Sequence, residues 1–412
     1  MNSTIAAIDF GTSKIVTVIA ESGGLNKLSF LGTGNVPYNG WMDGDWIDDR
    51  AQVIEAIRNS VSAAELEAKT HIREMYVGVP SGFLKTLCCV AETEITGEGG
   101  HPSEEDLLAV ADTAAEELGL PEEGAVVIHR SPAWYQVDEG KQTMSPSNQR
   151  GKTLRARMSF ILADEFFTKE VSEMLGKLGI TVLGFLSPTF GEAMLLLNYD
   201  DRDRTSVLVD GGYLITEVSV VRGDAIVYHA ELPLGCGHIT AALAENLQIP
   251  MKSAERVKRE FKLRTADFDP DFDELKDVEV RMENGRRIRF KNDVVQTIMR
   301  GKLEEIAQMI ESAMEEAADD LQDKSQVFLT GGLSRINGMR EFLSEYLRRA
   351  VKQPLLHATK LNSGQFASAQ GLVDLVFDSI ESRPLEDDSF PARLLGSVRG
   401  FINRTKQKTK KA

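Results

Sequence analysis

The chain opens with an apolar run, Ile5-Ala6-Ala7-Ile8, broken by Asp9-Phe10-Gly11-Thr12-Ser13 and resumed at Lys14-Ile15-Val16-Thr17-Val18-Ile19-Ala20. Two apolar stretches around a short glycine break predict strand, tight turn, strand. The same grammar returns at residues 207–221, where Val207-Leu208-Val209 leads into Asp210-Gly211-Gly212 and Glu217-Val218-Ser219-Val220-Val221 follows. Placing Asp9 on Asp210 also places Gly11 on Gly212. One pattern recurring after half a chain predicts an internal duplication into two similar lobes, not a solenoid.

Between the two copies, Met75-Tyr76-Val77-Gly78-Val79 reads as a strand. A helix is expected from Ser103, whose spacing to Asp106 and acidic next residues suit a helix start. Residues 141–153 are polar and read as a loop tip. In the second half, 252–261 and 294–321 read as helices. Segments 278–282 and 286–290 flank Glu283-Asn284-Gly285, a hairpin signal with an Asn-Gly turn. The stretch 381–391 is acidic and contains proline, the character of a flexible linker.

The final segment, 392–412, is different. Leu394, Leu395, Val398, Phe401 and Ile402 fall on one helical stripe, flanked by seven basic residues and no acid. That composition predicts a helix lying in a membrane interface, with a solvated basic extension or a partner-binding helix as the alternatives. Gly396 and Gly400 each cost about 1 kcal/mol against alanine, so the helix is expected to form on lipid.

Charge gives the tail its meaning. The 412 residues carry a net −16, so residues 1–391 alone hold −23 against +7 in the tail. Such an acidic body argues against nucleic acid as a partner. The composition, 42% apolar and 27% charged, fits a soluble globular protein long enough for several domains. No apolar run is long enough to span a membrane. The first residues lack a basic region and cleavage site, and are expected to be strand, not a signal peptide. Three cysteines, Cys88, Cys89 and Cys236, offer no disulfide framework and suggest a reducing compartment. Six scattered histidines lack metal-ligand spacing, so no zinc site is expected.

Two motif matches can be set aside. Asp9-Phe10-Gly11 spells a kinase triplet, but eight preceding residues cannot hold the rest of a kinase. Gly151-Lys152-Thr153 resembles the end of a phosphate loop, yet Pro146 stands where its first glycine belongs. The paired Asp-x-Gly hairpins carry more. A glycine turn lets backbone N–H groups approach phosphate oxygens, and an Asp at the strand end can face a hydrated Mg²⁺. Asp9 and Asp210 are therefore the candidate metal-facing residues, acting through water. Gly11, Thr12, Ser13, Lys14, Gly212 and Thr216 are the candidate phosphate contacts. The strand Val327-Phe328-Leu329 ending in Thr330-Gly331-Gly332 is expected to enter a helix and to offer backbone to a flat nucleoside at Gly331 and Gly332. Glu255 and Lys258 share a helix face and could reach the nucleoside, although a surface ion pair explains them as well. Each piece alone is also consistent with an ordinary hairpin, strand exit or ion pair.

Taken in order, these residues resemble the actin, DnaK-type chaperone and sugar-kinase superfamily. Within it the chain is most similar to the FtsA family of bacterial cell-division proteins. The similar stretches are Asp9-Phe10-Gly11-Thr12-Ser13-Lys14, Leu232-Pro233-Leu234-Gly235-Cys236-Gly237-His238-Ile239-Thr240, Ala254-Glu255-Arg256-Val257-Lys258 and Leu329-Thr330-Gly331-Gly332. The resemblance implies a duplicated, actin-like (ribonuclease H-like) α/β fold of two lobes with an FtsA-type inserted subdomain and a C-terminal amphipathic helix. It assigns 1–79, completed by 163–190 and 350–380, to the first lobe and 80–162 to the insert. It assigns 191–243 and 296–349 to the second lobe, 244–295 to a small subdomain, 381–391 to a linker and 392–412 to the membrane helix.

The resemblance further implies ATP and Mg²⁺ as cofactors, self-assembly into filaments, other division proteins as partners and a place on the cytoplasmic face of the membrane at the division site. Its tubulin-like partner FtsZ would dock its tail on the small subdomain, where Arg281, Arg286, Arg287 and Arg289 offer a basic rim or a solvated face. Three places depart from the family pattern. Tyr213, Leu214 and Ile215 stand where Gly, Gly and Thr are expected, Leu333 replaces a common third glycine, and Ala241-Ala242-Leu243 lacks the usual acid. These departures predict at most weak ATP hydrolysis. The alternatives are an actin-like pilus-assembly adaptor that binds a membrane-protein peptide and a kinase-type enzyme of the same superfamily.

Overall fold

Alternating strands and helices build two sheets to one plan. The computed structural model describes residues 3–23, 27–38, 41–42, 45–46, 49–264, 277–282, 285–321, 325–354, 361 and 363–381. The first sheet's region contains β1 (Ser3–Phe10), β2 (Lys14–Gly23), β3 (Lys27–Pro37), a small ladder of β4 (Trp41–Met42) with β5 (Asp45–Trp46), α1 (Arg50–Ala68) and β6 (Glu74–Gly78). Next come β7 (Leu84–Glu94), α2 (Glu104–Glu117), β8 (Ala125–Val137), β9 (Thr153–Asp164), α3 (Glu165–Lys177), β10 (Thr181–Leu186), α4 (Pro188–Leu196) and α5 (Tyr199–Asp203). The remainder holds β11 (Ser206–Gly211), β12 (Thr216–Arg222), β13 (Ala225–Leu232), α6 (Cys236–Leu247), α7 (Met251–Glu260), β14 (Val278–Arg281), β15 (Arg287–Phe290), α8 (Asn292–Glu316), β16 (Gln326–Gly331), α9 (Met339–Leu347), β17 (Val351–Lys352) and α10 (Ala367–Glu381).

The first sheet runs β10-β6-β1-β2-β3 and the second β17-β16-β11-β12-β13. In each, an antiparallel three-strand meander is extended by two parallel strands beyond its first member. Matching β1 with β11 and β6 with β16 superposes the two plans, so the duplication expected from the Asp-x-Gly repeat is present. Parallel strands need faces covered by helices, and the sequence supplies near-continuous apolar runs for them. Ile5, Ile8, Val207 and Val209 are all fully or almost fully buried.

A third sheet, β7-β9-β8, interrupts the first lobe. Helix α2 covers it, burying Leu107, Val110 and Ala114 against Leu154, Phe160 and Leu162. Its other side meets the second lobe: Ser159 Oγ donates to the Ile226 carbonyl at 2.6 Å, and Arg157 grips Asp320 with two hydrogen bonds. Helices α4 and α10 cross at Gly191 and Gly371. A Cβ on either glycine would lie 2.6 Å or less from backbone of the other, so only glycine permits this approach.

Two expectations change. Val351–Lys352, expected with the first lobe, is the edge strand of the second sheet, because it pairs with β16. The Thr-Gly-Gly strand exit does not run straight into a helix. It passes through a single 3-10 turn, Leu333–Arg335, and α9 starts only after Gly338. The linker beyond Glu381 and the helix carrying Leu394, Leu395, Val398, Phe401 and Ile402 lie outside the described residues. Among the described residues, no helix is long and apolar enough to cross a membrane.

Candidate functional site

The two hairpins face each other across a cleft of about 540 Å³ between the lobes. In the first, the Gly11 N–H donates to the Lys14 carbonyl at 3.0 Å and closes the turn after Asp9. In the second, the carbonyls of Gly212 and Tyr213 accept the N–H groups of Cys236 (3.0 Å) and Gly237 (2.7 Å), the first turn of α6. The loop thereby satisfies helix-end donors that have no partner inside the helix. The loops also touch directly, since the Leu214 N–H donates to Thr12 Oγ1 at 3.1 Å.

The cleft floor is acidic. Asp9 and Asp210 each stand one residue before the end of their strands, β1 and β11, and Asp210 lies directly opposite Glu217 in the β11–β12 ladder. Glu192, 1% exposed on α4, accepts from Thr330 Oγ1 at 3.1 Å, and Glu217 accepts from Thr189 Oγ1 at 2.6 Å. Burial first, then mutual repulsion, pushes Asp210 up to about 8 and Glu192 well above the carboxylate range. Burial likewise lifts Asp9 to about 6, against the pull of Lys14. Lys14, the amine facing these acids, is pushed down to about 8 by burial. It donates to the Gln365 carbonyl at 2.8 Å and lies over the Phe366 ring at 4.5 Å.

Such a floor lowers its energy by taking positive charge. Hard carboxylate oxygens suit a hard divalent cation. Among the described residues no group of three or more His, Cys, Asp or Glu side chains is arranged to hold a metal directly. Asp9 and Asp210 are the carboxylates that could face a hydrated cation whose other ligands are phosphates. Backbone shape also fits. Gly331 has φ +72°, and a Cβ there would sit 1.9 Å from Asp210 Oδ1. The strand exit and the acid can share the site only because that side chain is missing.

Of the residues expected from sequence, Asp9, Gly11, Thr12, Ser13, Lys14, Asp210, Gly212, Glu255, Lys258, Gly331 and Gly332 all line the cleft. Thr216 does not. Opposite Gly211 in the ladder, it is fully buried and donates its hydroxyl to the Leu234 carbonyl at 2.7 Å. Lys258 reaches the cleft wall but spends its amine on the Cys236 carbonyl (2.9 Å), Thr240 Oγ1 (2.8 Å) and Glu255 (2.7 Å). It ties α7 to the start of α6, while Glu255, also bound by Thr240 and Arg259, keeps part of its surface exposed. Sequence reasoning missed Thr189, Glu192, Glu217, Arg335 and Gln365.

A family model described as "Cell division protein FtsA" matches residues 207–371. Curated relatives of that name include the one from Neisseria meningitidis, 22% identical over 84% of this chain and 83% of its own length. The one from Pseudomonas aeruginosa is 21% identical over 92% and 87%. The similarity to FtsA proteins thus extends over most of the chain. Among solved structures, this chain superposes on a chain of the PilM-PilN type IV pilus biogenesis complex with TM-score 0.60 and 18% identity, covering 90% of this chain and 97% of that one. The ethanolamine utilization protein EutJ from Carboxydothermus hydrogenoformans gives TM-score 0.52 and 13% identity over 90% and 89%. At such identities these structures speak to fold alone, and the fold of this chain is actin-like.

Proposed function

We propose that this chain is an actin-like cell-division protein of the FtsA type that binds ATP with Mg²⁺ in the interlobe cleft, assembles into filaments and holds FtsZ at the cytoplasmic face of the membrane. The observation that carries the nucleotide reading is the opposition of two Asp-glycine hairpins across one acidic cleft, close enough for Leu214 to bond Thr12. In this reading Gly11, Thr12, Ser13, Lys14 and Gly212 hold the phosphates, and Asp9 and Asp210 orient the hydrated cation. Gly331, Gly332 and Glu255 face the nucleoside, while Lys258 keeps α6 and α7 in register. Tyr213 and Leu214 narrow the second loop, and turnover is slow. The tail 392–412 supplies lipid affinity, the small subdomain including β14 and β15 receives the FtsZ tail, and other division proteins bind the assembly.

The relatives' names and the sequence of the tail support this reading. The superposition on the PilM chain supports a rival one, a pilus-assembly adaptor, which needs no lipid-binding tail of its own. Calorimetric titration of the full chain with ATP-Mg²⁺ tests the nucleotide claim. Saturable heat with the wild type, weakened at least tenfold in Asp210→Ala, is the expected result. No heat with the wild type would remove the nucleotide from the proposal.

A further inference from the structure

We infer that His129, on the inserted sheet, is a positioning residue that sets the geometry of the cleft through α4; this rests on the nucleotide reading of that cleft. His129 is 2% exposed and lies on β8. Register between β8 and β9 slips by one residue between Val127 and His129. A bulge of this kind re-aims the side chains that follow it. Here it accompanies an imidazole directed away from the insert's own core and toward the start of α4. Its Nε2 accepts the backbone N–H of Ser187 at 2.9 Å, and its ring lies 4.7 Å from that of Phe190.

Ser187 is the residue that caps α4, its hydroxyl accepting the Phe190 N–H at 3.1 Å. In a reciprocal cap the third helical residue returns a side-chain acceptor to the N–H of the capping residue. That third residue is Phe190, which has no acceptor to return. His129 supplies it from another part of the fold. Burial drives the imidazole pKa down to about 3, so the ring stays neutral and Nε2 stays an acceptor. The capped turn carries Thr189, which bonds Glu217, and one turn later Glu192, which takes the Thr330 hydroxyl. Glu217 lines the acidic floor, and Glu192 lies buried behind it, within the field of Asp210. The path from insert to cleft is thus one hydrogen bond, one helix cap and two side chains.

Three variants separate positioning from bulk packing. His129→Phe keeps an aromatic ring against Phe190 and deletes the acceptor. His129→Leu deletes the acceptor as well and replaces the ring with an aliphatic side chain. His129→Gln restores an oxygen near the Nε2 position. Amide exchange on the ligand-free full chain should speed about tenfold at Ser187 and Phe190 in the two apolar variants and return to wild-type rates in Gln. ATP-Mg²⁺ affinity should fall about tenfold in the apolar variants and recover in Gln. Wild-type exchange and affinity in the apolar variants would overturn the inference. So would failure of both to fold beside a folded Gln variant, which would make the residue a general packing element. If the wild type binds no nucleotide, the cleft reading fails by itself. The exchange measurement, made without ligand, still decides whether His129 holds α4.

Discussion

At the scale of single residues, the cleft is a place where several acids are kept together at an energetic cost. Asp9 and Asp210 titrate near 6 and 8 in the folded chain, far above an unfolded aspartate near 3.8. Between those values and 3.8 the folded state binds more protons than the unfolded one, so stability falls as pH rises through the window. His129 acts in the opposite sense only below its ordinary value of 6.5, and Lys14 only above about 8. From pH 6.5 to 8 the ligand-free protein should therefore lose thermal stability. Asp210→Asn should flatten that slope, which scanning fluorimetry across the two pH values can check. An unchanged slope would mean that Asp210 is already ionised in the empty cleft. The second acid the hairpin contributes, Glu217, was implicit in the sequence, because antiparallel register across a short turn sets it opposite Asp210. Glu192 also left a signal, as the lone charged residue in the run 182–197. Nothing local says that this acid meets Asp210.

Single elements were legible where their ends carry polar side chains. The Ser103–Asp106 spacing marked α2, and both halves of the reciprocal cap are present. Asp106 does more than cap: its carboxylate also accepts from the Thr96 N–H and hydroxyl and the Gly97 N–H. These donors hold its pKa well below the usual carboxylate range, overcoming burial. Asp106→Ala should cost about 2 kcal/mol in urea unfolding, because several donors lose a charged partner at once. Nucleotide affinity should stay at the wild-type value, since no residue of α2 lines the cleft. A matched loss of affinity would tie α2 to the cleft after all. Elements whose ends rest on backbone geometry were read less well. The strand exit at Gly331 turns by a positive φ, and this delays the next helix to Met339. The short β17 had no apolar period long enough to reveal which sheet it joins.

For the whole molecule, the −16 of the full chain hides a division of labour between an acidic body and a basic tail. Binding of the full chain to vesicles should require anionic lipid and weaken sharply between about 50 and 300 mM salt, as screening shortens to less than 10 Å. A chain ending at Glu381 should not co-sediment at any salt. Equal binding of the two chains would remove the tail from the membrane proposal.

Sequence alone determined the duplication, the two aspartates, the glycine exits and the charge of the tail. Each is a local pattern whose physical requirement, a tight turn or an apolar stripe, is met by neighbours in the chain. Only the tertiary structure decided which acids share one cleft, that Lys258 serves a helix end, that Thr216 points away and that His129 completes the cap of α4. Those facts depend on register, on a bulge and on the Gly191–Gly371 crossing, which bring together residues far apart in the sequence.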